Sequence, residues 1–163
     1  MFAIKYLFYI LLLAGPYACG QEDSNLQGQL KGKVVSIADG DTFTLLTAEN
    51  KQVKVRLHGI DAPEKKQPFG QRAKQHLSKL VFGKQVKLSA LKKDRYGRTL
   101  GIVYDESGGN VNESMLRAGM AWHFKRYDKN ITWARLEREA RNNRVGLWSQ
   151  PGAIAPWKWR KQR

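Results

Sequence analysis

Four carboxylates stand apart in a chain otherwise rich in base: Asp39, Asp41, Asp61 and Glu64. They form two short clusters on either side of a basic stretch, Lys54-Val55-Arg56-Leu57-His58. If that stretch is a strand paired with the one before it, the ends carrying the acids can meet in space. Carboxylates at close range repel, and one is driven protonated unless a cation sits among them. Hard oxygen donors suit Ca²⁺, Mg²⁺ or Mn²⁺ better than zinc. Taken one cluster at a time the acids read as turn formers, because Asp-Gly and Asp-Ala-Pro are ordinary turn sequences.

Arg56 lies on that strand, and Arg98 closes Asp94-Arg95-Tyr96-Gly97-Arg98. A guanidinium grips a phosphate at two oxygens and stays charged at any working pH. Either arginine alone reads as a solvated surface residue. Together the pieces describe a phosphodiester-cleaving site. A cation draws charge from a phosphate oxygen. Two arginines stabilise the charge that builds on five-coordinate phosphorus. The spare carboxylate, Glu64, orients or deprotonates water.

The elements that must position these residues are legible from periodicity. Val35, Ile37, Phe43 and Leu45 alternate around a tight Asp39-Gly40-Asp41 turn, and Glu49-Asn50 turns into Val53, Val55 and Leu57. Val86 and Leu88, then Leu100, Ile102 and Tyr104, continue the alternation on either side of a basic loop. Ala73, Leu77, Leu80 and Val81 fall at helical spacing. Asn112 is expected to cap a short helix with Met115 and Leu116, and Thr132 a last helix with Trp133, Leu136 and Ala140. Five short strands with three helices fit a mainly β small barrel of the OB type.

Length and composition bound the rest. The 163 residues suffice for one domain, with 29 Lys and Arg against 14 Asp and Glu and a formal charge of +15. The single Cys excludes a disulfide scaffold and a Cys-rich zinc site. Such charge suits a polyanion: nucleic acid, an anionic membrane surface or an acidic polysaccharide. Residues 1–20 hold one base, Lys5, an apolar run and a small-residue exit, the form of a secretory signal. Cleavage after Gly20 is one exit; lipidation of Cys19, anchoring the chain to a membrane, is the other. The protein is expected to be exported, secreted or periplasmic in the first case. A flexible leader over 21–29, a domain over 30–150 and a basic Trp-rich tail over 151–163 complete the division.

Three motifs in order closely resemble the staphylococcal (micrococcal) nuclease family: Ile37-Ala38-Asp39-Gly40-Asp41-Thr42, Val55-Arg56-Leu57-His58-Gly59-Ile60-Asp61-Ala62-Pro63-Glu64, and Asp94-Arg95-Tyr96-Gly97-Arg98. Val111-Asn112-Glu113 and Gly146-Leu147-Trp148-Ser149 resemble its later signatures. The resemblance implies a calcium-dependent nuclease that cuts DNA and RNA, prefers single strands and leaves 3′-phosphate ends. It implies Asp41, Asp61 and the Ala62 backbone carbonyl as Ca²⁺ ligands, with Asp39 acting through water. Glu64 would be the general base or the group that positions water, and Arg56 and Arg98 would hold the scissile phosphate and stabilise the transition state. Arg95, Tyr96 and Tyr127 would contact substrate. The family's founding member has Thr where Ala62 stands, and tyrosine where Lys125 stands, beside the base-stacking site. No obligate protein partner is implied, so a monomer is expected.

His58 is expected at the surface or behind the site, His76 and His123 in solvent, and Trp148 in the core. Trp157 and Trp159 could stack on bases, touch anionic lipid, or dock as a tail on the barrel. Two rival functions fit the same residues less completely. One is a nucleic-acid-binding OB module with an inactive site, which would be free to lose Arg56, Asp41, Asp61, Glu64 and Arg98. The other is a basic envelope protein that binds anionic lipid or polysaccharide.

Overall fold

A computed structural model describes residues 28–162. The expected signal, Cys19 and most of the leader lie outside them. Strands β1 (Gln29–Ile37), β2 (Thr42–Leu46), β3 (Gln52–Leu57), β5 (Gln85–Lys93) and β6 (Thr99–Tyr104) close a barrel in the order β1-β2-β3-β6-β5. A second, two-stranded sheet pairs β4 (Ile60–Asp61) with β7 (Trp122–His123). Helices α1 (Gly70–Val81), α2 (Val111–Arg117) and α3 (Ile131–Asn142) answer the three expected from periodicity. The tail adds a fourth, α4 (Pro156–Trp159), started by a proline at its first turn.

Alternation decides which side chains fill the barrel. Val34, Phe43, Leu45, Val55, Leu57, Leu88 and Val103 are buried inside, and their strand neighbours face outward. Helix α1 closes the core with Ala73, Leu77 and Val81, all fully buried. Trp133 and Leu136 of α3 and Met115 and Leu116 of α2 join the same cluster.

Two caps differ from expectation. Asn110, not Asn112, caps α2 by accepting from the Glu113 N–H at 3.1 Å. Asn130, not Thr132, caps α3 through the Trp133 N–H at 3.1 Å. In each case the capping residue has the extended backbone that an N-cap needs, while the expected residue already lies inside the helix. Asn112 is drawn into the core instead. Its Oδ1 accepts from Val103 N–H at 3.1 Å and its Nδ2 donates to the His58 carbonyl at 2.9 Å. That pair of bonds ties the end of β3 to β6.

Candidate active site

The register of three strands assembles the site. In the antiparallel β2–β3 pair Thr42 stands opposite Arg56, and Leu57 N–H donates to the Asp41 carbonyl at 2.9 Å. Asp41 therefore sits at the strand end beside Arg56. Strands β3 and β6 run parallel, with Arg56 opposite Leu100. Arg98 lies one pleat along from Leu100 and so on the face of Arg56. Asp61 follows from β4. The Asp39-Gly40-Asp41 turn packs so closely that a Cβ on Gly40 would lie 2.7 Å from Ala62 Cβ and 2.7 Å from Ala73 Cβ. Gly40 is thus what lets the first acidic turn rest on the second and on α1.

Asp41 and Asp61 are buried, at 2% and 1% exposure. One guanidinium joins them: Arg56 Nη1 donates to Asp41 Oδ1, and its Nη2 to Asp61 Oδ1 at 2.7 Å. Asp41 also accepts from Thr42 Oγ1 at 3.0 Å and from the Ala62 N–H at 2.9 Å. Asp39 Oδ1 accepts from the Asp41 N–H at 3.1 Å. Burial raises the Asp41 carboxyl to about 6, although the Arg56 cation pulls it down. Burial also raises Asp61, against hydrogen bonding and charge from Arg160 and Arg56. Even with Arg56 and Arg160 beside them, burial keeps both carboxyls above their ordinary value.

Around this buried pair lies an open groove of about 680 Å³. Asp39, Arg56, Glu64, Arg95, Tyr96, Arg98 and Tyr127 all line it. Seven of the expected residues are thus brought to one place, with Asp41 and Asp61 beneath. Arg98 is steered by Asp94, whose Oδ2 accepts from its Nε at 2.8 Å and pairs with its Nη2 at 2.7 Å. Asp94 also accepts from the Tyr96 and Arg98 N–H groups at 2.9 and 3.0 Å. Burial alone would raise the Asp94 carboxyl, but these bonds and the Arg98 charge hold it below its ordinary value. Arg95 Nη2 donates to Tyr96 Oη at 2.6 Å and its guanidinium lies 4.8 Å from the ring centre. Tyr96 and Tyr127 are largely exposed, the Tyr96 ring flanked by the Arg95 and Arg98 guanidinium groups.

Among the described residues no three His, Cys, Asp or Glu side chains are arranged to hold a metal ion. The chain offers two buried carboxylates instead, bridged by Arg56 and, at Asp61, also held by Arg160. Two carboxylates are hard oxygen donors of the kind that suit a hard cation whose shell other oxygens and water complete.

Several site neighbours carry no signal in the sequence. His123, expected in solvent, is buried in β7, and its Nε2 lies 2.9 Å from Asp128 Oδ1. Asp128 also faces His58, whose Nε2 is 3.5 Å from its other oxygen. Burial, with Lys92 nearby, lowers the His58 imidazole below its usual value despite Asp128. Lys125 pairs with the buried Glu137. The tail is docked: Trp157 stacks flat on Phe124 at 4.8 Å and meets Trp122 edge-on at 5.7 Å. Its Arg160 reaches into the groove.

A family profile described as staphylococcal nuclease homologue matches residues 54–150. A protein called micrococcal nuclease, from Shigella flexneri, is 46% identical over 142 residues, covering 80% of this chain and 80% of its own. An uncharacterised endonuclease from Haemophilus influenzae is 44% identical over 145 residues, covering 89% of this chain and 78% of its own. The staphylococcal-like nuclease CAN1 of Arabidopsis thaliana is 42% identical over 132 residues, which span 78% of this chain but 40% of the plant protein.

Proposed function

The chain belongs to the staphylococcal nuclease family, and on that premise we propose that it is a calcium-dependent nuclease hydrolysing the phosphodiester bonds of DNA and RNA. The observation that carries this reading is the convergence of Glu64, Arg56 and Arg98 on one groove above the buried pair Asp41 and Asp61. Asp41, Asp61 and the Ala62 carbonyl would hold the ion directly, and Asp39 through water. When bound, Ca²⁺ withdraws charge from a phosphate oxygen.

The chain's own residues do the remainder. Glu64 takes a proton from the attacking water as its oxygen bonds to phosphorus. Arg56 and Arg98 hold the phosphate and offset the extra negative charge of the five-coordinate state. The bond from phosphorus to the 5′ oxygen breaks, that oxygen leaves as a hydroxyl with a proton from solvent, and the phosphate stays on the 3′ end. Tyr96, Arg95 and Tyr127 hold the neighbouring nucleotide by stacking and charge. An exposed aromatic face needs an unpaired base, which favours single-stranded or fraying substrate.

The test is incubation of the full chain with heat-denatured DNA and with RNA, in calcium and in chelator. Cleavage in calcium that stops in chelator, with 3′-phosphate ends, is expected. Undiminished cleavage in chelator overturns the metal role.

We also propose that the chain is exported and acts as a monomer. No helix among the described residues is long and apolar enough to cross a membrane. The mass of the mature protein distinguishes cleavage after Gly20 from lipidation of Cys19. A mature chain that retains Met1 contradicts export through this signal.

A further inference from the structure

The C-terminal segment is fixed to the site at several points. Ala155 and Pro156 are buried, and Trp157 is held by Phe124 and Trp122. Gln67, itself buried, binds both partners: its Nε2 donates to the Ile154 carbonyl at 2.6 Å, and its Oε1 accepts from the Glu64 N–H at 3.1 Å. The same side chain therefore sets the backbone of Glu64 and the path of the tail.

That docking delivers Arg160 onto the reacting carboxylates. Its Nη1 donates to Glu64 Oε1 at 2.6 Å and to Asp61 Oδ1 at 3.3 Å, and its Nη2 to Asp61 Oδ2 at 2.8 Å. Asp61 and Glu64 thus lie within reach of a single nitrogen. Two like charges that close repel, and the flexible Glu64 would swing toward solvent without a bridge. A planar guanidinium fixes direction as well as charge, which an ammonium does less well.

We propose that the C-terminal segment is a working part of the active site, and that Arg160 is a positioning residue which aims Glu64 at the attacking water. The inference rests on the reading of Glu64 as the base. It extends the active site beyond the barrel and makes the tail necessary for turnover. It also separates two effects that ordinarily move together. Removing a cation beside Asp61 strengthens the pull of the carboxylates on a metal ion. Removing the bridge leaves Glu64 misdirected.

The experiment compares full-length wild type with Arg160→Gln and Arg160→Lys. Turnover on denatured DNA is measured at saturating calcium. Calcium binding to the substrate-free protein is measured by calorimetry. Arg160→Gln is expected to bind calcium severalfold more tightly, yet to lose about tenfold or more in kcat with KM within about twofold, the mark of a lost transition-state interaction. Arg160→Lys should regain part of kcat. Tighter calcium binding with equal or faster cleavage makes Arg160 a plug and overturns the proposal. Weaker calcium binding with slower cleavage makes it a structural strut and also overturns it, as does a rise in KM alone. If wild type cuts nothing, the nuclease reading itself fails. If wild type and Arg160→Gln cut alike, only this inference fails.

Discussion

Asp41 is a carboxylate held away from solvent among charged neighbours. Its carboxyl is buried and raised to about 6 from an ordinary 3.8. Between those values the folded chain holds a proton that the unfolded chain has released. Stability from this group is complete below the unfolded value and is lost as pH rises through the folded one. Asn at this position is neutral throughout and has no such loss. Urea unfolding in chelator should therefore show the balance between wild type and Asp41→Asn moving toward the variant as pH rises from 4 to 7, by on the order of 2 kcal/mol. A difference that stays constant with pH would show that Asp41 is ionised in the fold throughout. Calcium should remove most of the effect, because a cation favours the ionised form. That the acids, the two arginines and Glu64 gather in one place could be expected from the sequence, because residue type and local motif single them out. Arg160 could not. It lies 96 residues from Glu64, in a segment marked only by tryptophan and base.

At the scale of elements, local pattern reveals hairpins and helices but not the parallel pairing that matters most here. The β2–β3 hairpin follows from alternation and a short turn. The neighbourhood of β3 and β6 has no local signature, because α1 and β5 separate the two strands in the chain and only closure of the barrel brings them together. Yet that pairing puts Arg98 on the face of Arg56. Asn112 is the clamp that holds it, bonding Val103 of β6 and the His58 carbonyl just beyond β3. Its motif suggested a cap; its burial makes it a strut. Asn112→Ala would leave a buried N–H and a partly buried C=O without this partner, at a cost of about 2 kcal/mol. Thermal unfolding should show that loss, together with reduced cleavage as the two arginines lose register. An unchanged midpoint would mean the strands are held elsewhere. The tail helix escaped the sequence for a related reason. Four residues show no periodicity, and its stability comes from docking on Trp122 and Phe124.

For the molecule as a whole, the excess of base and the minority of acid divide the work. The +15 formal charge draws a polyanion to any part of the surface. The groove concentrates it, with Lys92, Lys93, Arg95, Arg98, Arg56 and Arg160 along its walls. Binding of single-stranded DNA to Glu64→Gln should weaken log-linearly with salt, with a slope of about −3 if some four phosphates are neutralised. A slope near zero would mean that the groove does not hold the backbone. Charge explains arrival, however, and not cleavage. In the proposed mechanism Glu64, beside two buried carboxylates and among arginines, turns binding into hydrolysis. The most direct test of that role measures wild type and Glu64→Gln side by side in calcium, for both DNA binding and cleavage of the same denatured strand. The variant is expected to bind the strand equally within about threefold and to cleave it about a hundredfold or more slowly. Equal cleavage by the two proteins would contradict it.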